Sequence, residues 1–339
     1  MSATTQVTTF SDLYTDLQNR ARVTTGITAT ENQAKRYINI ALQDMHLGFG
    51  EKFPWAERNA ILLTQAQYTA GTLSVTQGST TITGTSTAWN TNNSFGVANV
   101  RAGGKIRING GSEVYEISSV ASDTSATLTS RFTQSTVTDG AYAYFEDEYS
   151  LASDFLRPID LQQFSDGMSI DLIGRTEFRR RYPRNYITGK PVIATLIDRP
   201  PSGNTTPVRK VRFHKPPDAV YSIPYAYVTA NLAVSSAGVA AAALSSDSDE
   251  PIVPLRYRHA IVFHALYNWY RDKKDDGRSL EAQKDYESIM MRIVSDNEIG
   301  DKRPQIRPRI SGYVSHARRP YSGGGRRYDA GGKFDRMDE

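Results

Sequence analysis

From Asn59 to Val100 the chain carries no charged residue, and ten of the twenty positions from Gly71 to Asn90 are Ser or Thr. That is a sharp compositional boundary inside an otherwise mixed sequence. Short β-favouring runs follow one another across it and beyond: Thr72 to Thr76, Thr80 to Thr83, Lys105 to Ile108, Val114 to Val120, Ser125 to Thr129 and Ala141 to Phe145. Each is bounded by Gly, Asn or Asp turn residues. Asn109-Gly110-Gly111 suits a hairpin, because Asn and Gly tolerate the positive φ such turns require. Strands this short and closely spaced predict a small barrel or sandwich over residues 69–146.

The flanks read differently. Phe10, Leu13, Leu17 and Ala21 recur at helical spacing, and Thr30 with Gln33 gives a capping-box start for a stripe of Ala34, Tyr37, Ile38, Ala41 and Met45. Residues 1–68 are thus expected to supply a helix pair, ending in an extended segment from Arg58 to Thr64. After Glu146, extended pieces run from Pro191 to Ile197, Val208 to His214 and Tyr221 to Val228. The latter two flank Lys215-Pro216-Pro217-Asp218, which reads as the loop of an antiparallel pair. Residues 198–204 read as a surface loop and Ser245 to Pro254 as an acidic linker. Leu255, Val262, Ala265, Leu266 and Trp269 then share a face, Gly277 marks a turn, and Leu280, Tyr286, Ile289, Met290 and Ile293 form a second stripe. Residues 147–300 therefore combine return strands with a helical hairpin. The expected fold class is α+β: a helical core from an N-terminal pair and a C-terminal hairpin, an inserted small all-β domain, and a disordered or extended tail.

The 339 residues are 39% hydrophobic and 22% charged, the balance of a folded protein, and no staple is needed to hold a core at this length. The absence of cysteine excludes disulfides, thiolate zinc sites, thiol nucleophiles and iron–sulfur clusters, and fits assembly in a reducing cytoplasm. Met1 to Thr9 is uncharged and Ser/Thr-rich, so no cleaved secretion signal is expected. Tyr225 to Leu244 is Ala-rich and broken by Ser235, Ser236 and Gly238, so no membrane span is expected either. Net charge is +4, but residues 301–339 hold ten Lys or Arg against five acids, leaving the rest about −1. That tail, punctuated by Gly and dotted with Tyr, should not fold in isolation.

Common catalytic and nucleotide motifs are missing: no P-loop, dinucleotide fingerprint, HExxH, GxSxG or EF-hand pattern is present. His259 and His264 are five apart, a poorer fit to one metal than four, and read as packing or capping residues. Ser246-Asp247-Ser248-Asp249-Glu250 lacks the glycine turn and bidentate glutamate of a calcium loop. Arg179-Arg180-Arg181 beside Tyr182 reads as a solvated face or a subunit contact ahead of a DNA contact. No catalytic residue, metal or cofactor is assigned.

The order of parts, taken with several local blocks, resembles the head-to-tail adaptor (connector) proteins of tailed bacteriophages. Those blocks are Tyr37-Ile38-Asn39-Ile40-Ala41-Leu42-Gln43 followed by Phe53-Pro54-Trp55, then Leu151 to Pro158, and Pro254-Leu255-Arg256-Tyr257-Arg258 with Ala265-Leu266-Tyr267 and Asp275-Asp276-Gly277-Arg278. Thr81 to Trp89, Val100 to Ile106 and Tyr115-Glu116-Ile117 are similar to β-domains inserted in phage structural proteins. The resemblance implies a non-enzymatic virion protein assembled in the host cytoplasm. Copies would close a homo-oligomeric ring, typically twelvefold, beneath the portal protein and extend the channel through which genomic DNA passes toward tail or nozzle proteins. It further implies that the C-terminal segment reaches the portal, through Arg303, Arg307, Arg309, Tyr313, Arg318, Arg319, Tyr321, Arg326, Arg327 and Tyr328. Subunit-interface candidates are Tyr37, Trp55, Arg179, Arg180, Arg181 and Trp269.

Two other functions compete. The Arg/Tyr/Gly tail has the composition of a nucleic-acid-binding segment, pairing with phosphates and stacking on bases. The Ser/Thr-rich module with Trp89 is compatible with a carbohydrate-binding or adhesive role if that ring is exposed; a Trp89 packed in the module's own core excludes it.

Overall fold

A computed structural model describes residues 7–48, 53–161, 169–183, 185–199 and 208–301. It is a mixed α+β structure, 29% helix and 31% strand, in two compact units, Met1–Tyr286 and Glu287–Glu339. In chain order the elements are α1 (Phe10–Arg20), α2 (Thr28–Gly48), β1 (Glu57–Leu63), β2 (Thr72–Val75), β3 (Thr81–Thr85), β4 (Lys105–Ile108), β5 (Tyr115–Ser122), β6 (Ser125–Leu128), β7 (Val137–Gly140) and β8 (Tyr142–Phe145). There follow β9 (Glu148–Ser150), β10 (Phe155–Leu161), β11 (Asp171–Leu172), α3 (Arg175–Arg181), β12 (Ile193–Arg199), β13 (Val208–His214) and β14 (Ser222–Thr229). The chain then forms β15 (Ala233–Val234), β16 (Ala240–Ala241), β17 (Glu250–Pro251), α4 (His259–Asp272) and α5 (Asp276–Asp301). In the second unit the described residues, 287–301, are the end of α5. No helix among the described residues is long and apolar enough to cross a membrane.

Helix α1 starts where its sequence says it should. The Thr9 hydroxyl accepts from the Asp12 N–H, and the Asp12 carboxylate accepts from the Thr9 N–H at 2.9 Å, a reciprocal box that satisfies otherwise orphaned donors. The expected stripe of Phe10, Leu13, Leu17 and Ala21 is buried. Helix α2 begins two residues before the expected cap, so Thr30 lies inside its first turn. Helix α2 packs on α4, and α1 on both, which brings the N-terminal helices against the C-terminal side of the chain. The Asn39 side chain fixes the same relation by bonding the Leu244 backbone twice, at 2.9 and 3.0 Å.

Two expectations for the helical hairpin need correction. Gly277 lies within α5; the reversal falls at Lys273 to Asp275, where Lys274 takes a positive φ of 60°. Leu280 points outward, 56% exposed, and Ala282 takes the buried position in its place. The 245–254 segment is also no loose acidic linker. Asp249 accepts from the Ser245 and Ser246 N–H groups at 2.8 Å, Asp247 pairs with Lys35 at 2.8 Å, and β17 joins β15.

Between the helices, β2 to β8 form one antiparallel sheet in the order β7-β2-β3-β6-β5-β4-β8. Its edge strands β7 and β8 are separated in sequence by Ala141 alone. A single residue spans only about 7 Å between its neighbours, so the two edges must meet and the sheet must curl on itself. Inside the curl lie Leu73, Ile82, Trp89, Ile106, Phe132 and Tyr144, all nearly solvent-free. The turn after β4 is as expected: Asn109 and Gly110 have φ of 48° and 68°, and the Gly111 N–H returns to the Ile108 carbonyl at 2.9 Å. Strand β7 has a weak sequence signal, since Val137 and Thr138 favour strand but Asp139 and Gly140 favour turn; its pairing with β2 forms it.

The return strands build two further sheets, β1-β14-β10 and β11-β12-β13-β9. The expected pairing of β13 with β14 does not occur. Strand β13 pairs with β12 from Ile193↔His214 to Arg199↔Val208, and β14 pairs with β1 and β10. Pro216 and Pro217 supply no N–H and hold φ near −65°, which suits a crossing between sheets better than a hairpin turn. Residues 200–207, which include most of the expected surface loop, lie outside the described residues.

Candidate functional site

The chain passes between the curled module and the return sheets twice, and the two passages lie side by side. On the way in, the Gln65 N–H donates to the Tyr149 hydroxyl at 3.1 Å, its side-chain amide donates to the Asn99 carbonyl at 2.7 Å, and Tyr68 and Tyr144 exchange backbone bonds at 2.9 Å. On the way out, Glu146, Asp147 and Glu148 follow one another while remaining almost wholly buried as side chains, at 8%, 1% and 4% exposure. Three consecutive buried carboxylates are costly unless cations meet them.

Cations meet them from both sides. From the module, Arg101 Nε reaches Glu146 at 2.9 Å, and Lys105 lies 3.3 Å from Asp147, 3.7 Å from Glu148 and 3.2 Å from Glu116. From the return sheet, Arg212 donates to Asp147 at 2.7 Å and Arg199 grips Glu148 with two bonds at 2.8 and 2.6 Å. Asn185 adds a bond to Asp147 at 3.3 Å and positions His214 at 2.9 Å. Burial alone would push the Glu148 carboxyl up, but the Arg199 hydrogen bonds and the nearby Lys105 outweigh it, and its pKa is lowered. Burial likewise opposes charge on Lys105, yet Asp147, Glu148 and Glu116 raise its pKa. Tyr144 is pushed well up by burial and by Glu146, to which its hydroxyl donates at 2.6 Å.

Four carboxylates thus face four cations. The cluster ties module to body rather than presenting net charge. Beside it opens a cleft of about 470 Å³ lined from both parts, with Ser112 and Thr129 on the module side and Asn185 and Tyr186 on the other. Sequence reasoning missed this junction. Its one available signal is the Glu146-Asp147-Glu148 run between aromatic strand residues, where three acids in succession are out of place unless paired.

The sequence candidates fall elsewhere. Tyr37 and Trp269 meet edge-to-face at 5.8 Å, 7% and 2% exposed, with the Tyr37 hydroxyl on Asp272. Both are spent in packing α2 on α4, so as subunit-contact residues they are corrected. Trp55 is half-buried, stacked on Phe53 at 4.6 Å and beside Tyr257 at 5.8 Å. Arg179, Arg180 and Arg181 are exposed on α3. Trp89 is fully buried, its indole N–H donating to the Tyr142 hydroxyl at 2.9 Å, which removes it as a sugar-stacking ring. His264 lies 3.4 Å from Asp44 and packs on Tyr286, and no group of three His, Cys, Asp or Glu suited to a metal occurs among the described residues. The ten tail candidates, Arg303 to Tyr328, lie outside the described residues.

No protein-family model matches this chain, and no curated protein matches it.

Proposed function

We propose that this chain is a structural virion protein, a head-to-tail adaptor that forms a ring beneath a phage portal, extends its DNA channel and offers tail components an attachment surface. The observation that carries this reading is the order of parts. Helices from the two sides of the sequence pack together, a curled β-module is inserted between them, and its entry and exit lie side by side. In this reading the helices form the ring wall, the module projects from it, and the basic tail docks on the portal without folding alone. The ionic junction then has a mechanical role, because a projecting module transmits load only if its base cannot pivot.

The test is co-sedimentation of the full-length chain, and of a chain ending at Gly300, with purified portal rings. Full-length protein is expected to sediment with the portal and the shortened chain to remain behind. If neither binds, the adaptor reading fails; if both bind equally, docking does not use the tail.

A further inference from the structure

We propose that the exposed face of α3 is a contact for the phosphate backbone of duplex DNA, a reading that relies on the adaptor assignment for the presence of that duplex. Helix α3 is seven residues long and buries one side chain, Phe178, beneath which the fold continues into β12. At about 100° per residue, Arg175, Arg179 and Arg180 fall within an arc of about 140° that excludes Phe178. All three are exposed.

Within residues 169–183 the acids are Asp171 and Glu177, and Glu177 is taken by Arg181 at 2.7 Å. Arg175, Arg179 and Arg180 have no carboxylate partner among the described residues. Elsewhere Arg101, Arg199, Arg209, Arg212, Arg258 and Arg278 pair with acids, and Arg58, Arg107, Arg131 and Arg256 meet backbone carbonyls or ring faces; on α3 three arginines with none of these contacts among the described residues share one face. The helix dipole accounts for cations in the last turn, where Arg179 and Arg180 sit, but it penalises one in the first turn, where Arg175 sits. Stability of the helix therefore does not explain the set.

The chemistry of the face selects the partner. Its exposed positions are Arg175, Thr176, Arg179 and Arg180, with no apolar side chain among them. Protein interfaces centre on buried aromatic or aliphatic anchors, whereas phosphate backbones are bound by Lys and Arg with hydroxyl and amide donors beside them, a set that Arg175, Thr176, Arg179 and Arg180 match. Guanidinium groups fit phosphate oxygens with two parallel bonds.

The experiment measures equilibrium binding of the full chain to a short duplex DNA of arbitrary sequence across a salt series. It compares wild type, a triple Arg175→Ala, Arg179→Ala, Arg180→Ala variant, and a triple Arg-to-Lys variant. The slope of log affinity against log salt should lose about 2–3 units in the alanine variant, since three phosphate contacts disappear at roughly 0.9 each. The lysine variant should keep the wild-type slope. An unchanged slope in the alanine variant, with unfolding midpoint intact, overturns the proposal. Portal co-sedimentation of the same variants separates the two readings. If wild type binds portal and the slope is unchanged, only the α3 contact fails; if wild type does not bind portal and the slope falls, only the adaptor reading fails. Loss of portal binding without a change in slope makes α3 a protein contact and also overturns the proposal.

Discussion

Asp147 receives Arg212 and Asn185 on one carboxylate oxygen and has Lys105 at ion-pair distance on the other, although that approach falls outside hydrogen-bond geometry. Removing it takes from Arg212 its hydrogen-bonded carboxylate and from Lys105 one of three, leaving the buried cluster one negative charge short, so Asp147→Ala should cost about 3–5 kcal/mol, read as a lowered denaturant midpoint at constant slope. A loss under about 1 kcal/mol would mean that water already solvates the junction. Glu148 gives a pH-dependent counterpart. Its folded pKa is lowered, so its contribution is fully present above the unfolded glutamate value of about 4.3 and is lost as pH falls through the folded value. Glu148→Gln should therefore be less stable at neutral pH and show a shallower fall in stability below about pH 4; parallel acid limbs in the two proteins would contradict this. Trp89→Ala empties the module's centre and should cost about 3–5 kcal/mol.

At the scale of elements, two glycines separate backbone strain from crowding. Gly71 and Gly78 have φ of 82° and 83°, but a Cβ on Gly71 would lie 2.6 Å from the Thr85 and Ser86 carbonyl oxygens, while one on Gly78 meets open space. Gly78→Ala should cost about 1–2 kcal/mol from conformation alone, and Gly71→Ala clearly more, because backbone oxygens cannot swing aside. Thermal unfolding of both variants checks the order. The elements that could be read in advance were those whose signal is local: the stripes of α1 and α2, the hydroxyl-rich strands β2, β3 and β6, the Asn109-Gly110 turn. Strand β10 could not be read, because Pro158 and two register shifts break its alternation. Nor could the partners of β13 and β14, since each alternates well enough to sit in either sheet and only the packed whole decides.

For the whole molecule, what was legible was the architecture's order and not its joint. A compositional boundary marks an insertion, but the cations that hold the insertion come from Arg101 and Lys105 on one side and Arg199 and Arg212 on the other, about a hundred residues apart. No spacing rule connects them. The aromatic candidates Tyr37 and Trp269 misled for the opposite reason: large rings suit a subunit contact and a helix–helix core equally, and burial alone distinguishes the two. An adaptor must assemble, and assembly is visible in images of the full-length chain at high concentration with portal rings. Class averages should show closed rings of one rotational symmetry, seated on the portal, with a β-module repeating around the rim. Single particles of one chain's mass beside bare portal rings would contradict it.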